Sequence, residues 1–180
     1  MNTRKLPIMS LVFILSIFVF TSLAFAYEFT GYSWLESRVG NIKAHKNGSS
    51  STVNNIWNQS LYYWNSEDTP AYFTTGTSSD RDIRLYDVYD SSTSRDGKST
   101  VYYDDNDHIY SAFSWINTYY TQNYSTHKAE SVATHELGHI LGLDHESGAV
   151  VMNAYTSTRY DTYGVYRPQQ DDVDGVNDLY

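Results

Sequence analysis

Hydrophobic and polar positions change period several times along the chain. Leu6 to Phe20 is predominantly apolar, preceded by Arg4 and Lys5 and followed by the small-residue triplet Ala24, Phe25, Ala26. That succession is the layout of a secretory signal peptide over residues 1–26, cut before Tyr27. An uncleaved membrane anchor is the alternative, because the run is nearly long enough to span a bilayer. After an exposed opening around Gly40 to Ser51, the residues Val53, Ile56, Trp57, Leu61 and Trp64 recur at helical spacing, with Ser51 or Thr52 placed to cap the helix.

From Ala71 to Asn117 the period shortens. Tyr72 to Thr75, Ile83 to Tyr89, Thr100 to Tyr103 and Ile109 to Ile116 are short β-branched and aromatic runs, which predict a small sheet. Gly76, the Asp96-Gly97 pair and the Asp104 to Asp107 cluster separate them as turns. A second helix is predicted from Ser125 or Thr126 to Gly142, whose residue type tolerates the left-handed conformation found just past helix ends. Pro168 followed by Val173, Val176 and Leu179 predicts a short closing helix, with Asp171 and Asp172 in its first turn where the helix dipole favours negative charge.

Removing residues 1–26 leaves a length suited to one domain, 27–180. The chain has no cysteine, so disulfides, thiol chemistry and a cysteine-based latency device are all excluded within it. Its 12 basic residues are scattered among 21 acidic ones, giving a net charge of -9 and no footprint for a phosphate backbone, so nucleic acid is not an expected partner. The 18 tyrosines alternate with Ser, Thr and Asp and read as mainly structural.

The chemistry concentrates in His135-Glu136-Leu137-Gly138-His139. Two histidines four residues apart on a helix differ by about 40° around its axis, so both imidazoles can grip one ion, while Glu136 lies beside them as a base rather than a ligand. His145 lies beyond Gly142, and a chain reversal at that glycine returns it as the third ligand. Three neutral nitrogens leave a fourth position on zinc open for water, which is the arrangement of a hydrolytic site. Glu136 would accept that water's proton and hand it to the departing amine.

The full run HELGHILGLDH reproduces the extended zinc signature of the metzincin peptidases, and within them the chain resembles the matrixins. The closer likeness rests on Met152 and on Asp171-Asp172-Val173-Asp174-Gly175-Val176 with Leu179-Tyr180. The resemblance implies a mixed α/β (α+β) domain: a twisted mixed sheet, two main helices and a short C-terminal helix, with an active-site cleft beneath an edge strand. It implies that Met152 packs under the three histidines and that Asn153, Ala154 and Tyr155 wall the pocket for the substrate side chain after the scissile bond. Here Asn153-Ala154 replaces the Tyr-Pro pair usual in matrixins, and Glu146 follows the third histidine where they commonly place Ser. Thr100 to Tyr103, including Tyr102 and Tyr103, is the candidate edge to which an extended peptide adds as a strand. Asp104, Asp105 and Asp107 supply oxygen ligands for a candidate calcium ion. The expected protein is therefore a secreted, extracellular, monomeric zinc endopeptidase acting on protein or peptide substrates and free of the membrane after signal cleavage. Amidase chemistry on cell-wall peptides and a non-catalytic binding module of the same fold are the alternatives.

Overall fold

The computed structural model describes residues 27–180; the signal-peptide expectation for residues 1–26 lies outside the described residues. The elements in chain order are β1 (Ser33–Trp34), α1 (Glu36–Val39), β2 (Ile42–Lys46), α2 (Ser51–Asn65), β3 (Phe73–Thr75), β4 (Ile83–Val88), β5 (Gly97–Tyr103), β6 (His108–Asn117), α3 (Thr118–Thr121), α4 (Thr126–Ile140), a π-helix (Ser157–Thr162) and α5 (Gln170–Leu179). No helix among the described residues is long and apolar enough to cross a membrane.

Six strands form one mixed sheet. Its parallel path runs β1-β6-β4-β2-β3, and β5 joins β6 antiparallel, pairing with no other strand, so β5 is an edge. The expected exposed opening at Gly40 to Ser51 is corrected here: it contains β2, which pairs parallel with both β3 and β4. Ile42 and Ala44 are buried there while Lys43, His45 and Lys46 stay partly solvated. Five residues with three basic or imidazole side chains give little apolar signal, and burial comes from the two flanking strands.

Helices α2 and α4 pack on one another and against one face of this sheet. α2 is capped one residue earlier than its sequence suggests: Ser50, extended at φ -143°, accepts the Val53 N–H at 3.2 Å. Three tryptophans lock the layers. Trp57 donates to the Tyr86 carbonyl at 3.1 Å, Trp64 to Thr134 at 2.9 Å, and Trp34 to Ile140 at 2.9 Å. Each ring removes roughly 150–250 Å² from water, about 4–6 kcal/mol of transfer free energy, without stranding its indole N–H.

The end of α4 sets the course of the chain beyond it. Gly142 sits at φ +99°, the Leu143 N–H bonds the Gly138 carbonyl at 3.1 Å and the Gly142 N–H bonds the His139 carbonyl at 3.1 Å. This pair of bonds is a Schellman cap, which reverses the chain where a side-chain-bearing residue would be strained. The N-terminal segment clamps the reversal from outside: Thr30 N–H bonds the Gly142 carbonyl at 2.9 Å, and Asp144 N–H bonds the Glu28 carbonyl at 2.8 Å.

Candidate metal centre

The reversal at Gly142 carries His145 back beside the histidines of α4. The ligand nitrogens of His135, His139 and His145 all lie within 4.8 Å of one another, and Nε2 of His139 is 3.2 Å from Nε2 of His145. Nδ1 of His135 faces the Val151 carbonyl at 2.8 Å, and Nδ1 of His139 faces that of Leu143 at 2.8 Å. A carbonyl only accepts, so both Nδ1 atoms carry the proton and both Nε2 lone pairs point to the common centre. Burial holds His139 down to about 4 and His135 well below the usual imidazole range, which keeps both neutral at pH 7, as a metal ligand must be.

These residues fit zinc. Two nitrogens each about 2.0–2.1 Å from one tetrahedral zinc lie about 3.3 Å apart, close to the separation between His139 and His145. Glu136 supplies the second line of evidence. It is buried, burial pushes it up to about 8, and its Oε2 has no hydrogen-bond partner. A buried orphan carboxylate oxygen is costly unless the site gives it something to hold.

Met152 packs against α4 at Gly138, between His135 and His139 in the helix. Gly138 is so close to its thioether that a Cβ there would overlap Sδ and lie 3.3 Å from Met152 Cε. The missing side chain at 138 is what lets the methionine turn dock against α4. Asp172 holds that turn from below: Oδ2 accepts the Val151 N–H at 2.8 Å and Oδ1 the Met152 N–H at 3.0 Å, while Oδ2 also accepts the Gln169 N–H at the start of α5. The favourable first-turn acid foreseen in the sequence is thus a buried tie between α5 and the floor of the site, pushed up to about 6 by burial.

Other expected site residues fall in different places. Ala154 and Tyr155 line the cleft at the centre, whereas Asn153 is buried behind that wall, its side chain bonding Gly148 O at 2.9 Å and Tyr155 N at 3.2 Å. Tyr102 and Tyr103 lie at the far end of β5, outside the cleft lining, and Tyr103 stacks on Tyr32 at 3.7 Å between ring centroids. The part of β5 that does face the cleft is Gly97, Lys98 and Ser99, with the Ser99 hydroxyl donating to the Glu136 carbonyl at 2.7 Å. The calcium expectation at Asp104, Asp105 and Asp107 is not supported. Among the described residues, only the histidine triad groups three or more His, Cys, Asp or Glu ligand atoms closely. Asp104 instead closes its own turn, its Oδ1 accepting the N–H groups of Asn106 and His108 at 2.9 and 3.0 Å.

Sequence reasoning missed Gly97 as a neighbour of Glu136, the tie made by Asp172, and Arg159 in the cleft wall. Gly97 read as a turn residue, and Arg159 sits in a polar π-helical segment without periodicity.

Metal-dependent hydrolases of the metzincin class combine such a sheet and helix with a third histidine returned past a glycine, and this domain is one of that class. Within it the assignment is narrower: the family model described as matrixin matches residues 38–180, and the chain belongs to the matrixin family, whose members are metallopeptidases that use zinc.

Proposed function

We propose that this protein is exported and acts outside the cell as a monomeric zinc endopeptidase, hydrolysing peptide bonds of extracellular proteins with residues 27–180 as its catalytic domain. The observation that carries this reading is the convergence of three imidazoles, two of them oriented by backbone carbonyls, next to the unpartnered Oε2 of Glu136. When bound through the three histidines, zinc supplies Lewis acidity toward the substrate carbonyl and the attacking water.

The protein's own groups do the rest. Glu136 takes a proton from the attacking water on Oε2 and returns it to the departing amine. Burial raises its proton affinity toward that of a neutral-range base, and the charges of Arg159 and Arg95 oppose part of that rise. An extended peptide pairs along the edge of β5 at Gly97 to Ser99, its main chain supplying affinity and the wall at Ala154 and Tyr155 shaping the pocket after the scissile bond.

Cleavage of casein by the purified protein, beside a Glu136→Ala variant shown to carry the same zinc, tests the proposal. Activity lost only in the variant is expected. Equal activity in both would remove Glu136 from its role, and no cleavage by either folded, zinc-loaded protein would overturn the peptidase reading.

A further inference from the structure

The cleft at the metal centre has a volume of about 760 Å³, and its charge opposes that of the whole molecule. Arg4 and Lys5 are the only charged residues before Tyr27, so ten cations and 21 acids belong to the rest of the chain. Four of those ten, Arg95, Lys98, Lys128 and Arg159, line this cleft, against only Asp96 and Glu136 of the acids. Lys128 is paired with Asp161 at 2.6 Å, but Arg95, Lys98 and Arg159 are in no ion pair among the described residues. Concentrating scarce cations in one concave site of an acidic protein focuses a positive field there.

Arg159 is the informative one. Only 1% exposed, it forms part of the cleft wall at the segment that follows Ala154 and Tyr155. Nε donates to Ser131 Oγ at 2.8 Å, Nη1 to the Asn153 carbonyl and Nη2 to Thr156 Oγ1 at 2.8 Å. All three acceptors are neutral. A guanidinium has five N–H donors, so one on Nη1 and one on Nη2 remain, and the buried charge has no carboxylate in contact. Asp96, Glu136 and Asp172 act on it only at a distance, so its two remaining donors suit a partner in contact, and a carboxylate is the group whose two oxygens match a planar guanidinium. The three bonds hold the guanidinium in place, so a ligand meets a preset charge rather than a mobile one.

Resting on the peptidase reading above, we propose that this cleft selects substrates carrying Asp or Glu immediately after the scissile bond, with Arg159 at the base of the pocket as the specificity-determining residue. Lys98 and Arg95, which line the same cleft, add attraction at longer range, a contribution that salt screens.

The test uses two internally quenched peptides that differ only in Glu or Leu after the cleaved bond, the bond being verified by mass spectrometry, with casein as a general substrate. The zinc-loaded protein is expected to cleave the Glu peptide with a kcat/KM at least tenfold above the Leu peptide at low salt. Arg159→Met should bring that ratio close to one, and Lys98→Glu should lower it several-fold. Cleavage of casein together with equal or better cleavage of the Leu peptide overturns the acidic pocket while leaving the peptidase reading intact. Failure to cut casein or either peptide removes both. A folded Arg159→Met protein that keeps the full Glu preference overturns the role of Arg159; should that variant not fold, the wild-type ratio and Lys98→Glu decide.

Discussion

Gly97 lies directly against Glu136: a Cβ at position 97 would stand 2.6 Å from Oε1 and 2.9 Å from Cγ of that carboxylate side chain. The first residue of the edge strand therefore sets where the buried carboxylate rests. Strand and base are mechanically coupled although they belong to separate segments of the chain.

Gly97→Ala should displace Glu136 without touching a histidine. Val132, 2.7 Å from the same added atom, blocks the alternative path. A shift of about 1 Å in a catalytic group costs on the order of 100-fold in rate. The expected outcome is a loss of that size in kcat on casein-derived peptides with zinc content unchanged by metal analysis; unchanged kcat would show that the side chain moves aside freely.

The metal-free protein should lose stability between pH 6.5 and 8, and Glu136 is the reason. Its folded pKa is raised from 4.5 to about 8, so its favourable contribution is complete below about 4.5 and disappears as pH rises through 8. His139, lowered to about 4, acts in the opposite sense but only below 6.5, and Asp172, raised to about 6, has largely finished titrating by then. Across that window the loss is about 1–2 kcal/mol. Urea unfolding in chelator at the two pH values measures it, and Glu136→Gln should flatten the difference.

Asp172→Asn should loosen the floor of the site. The carboxylate accepts three backbone N–H groups, and an amide presents a donor to at least one of them. Stranding a buried donor costs about 1–3 kcal/mol, seen as a Tm lower by several degrees, with weaker zinc retention in a chelator competition. Undiminished Tm would mean that the turn relaxes at no cost.

Gly138→Ala tests the contact from above. The new methyl group would overlap the Met152 sulfur and press on Trp64 at 3.3 Å. Overpacking of this kind costs about 1–3 kcal/mol. A double variant with Met152→Ala should recover part of the loss in thermal unfolding, and additive losses would show that the two positions do not share the strain.

The helices and most strands are legible in the sequence because their signals are local. The stripe from Val53 to Trp64 and the cap at Ser125 act within a few residues, and the zinc ligands His135 and His139 share one helix face by periodicity alone. β2 escapes such a reading because its burial comes from β3 and β4, and the segment Ser157–Thr162 because its one fully buried side chain is an arginine. The calcium expectation goes without support for a related reason: Asp104 closes its own turn, and among the described residues the acids adjacent to it in sequence do not group with it as ligands.

By itself the sequence determined the metal chemistry: the ligand types, the base beside them, the glycine able to take φ +99° and the family those residues define. Tertiary structure alone decided which groups those residues meet. Gly97 against Glu136, Asp172 under Met152, and the cations of β5, α4 and the π-helix around one cleft are contacts between segments far apart in the chain. Helical period and capping are written in neighbouring residues, whereas the field and floor of a site are sums over elements that only folding brings together.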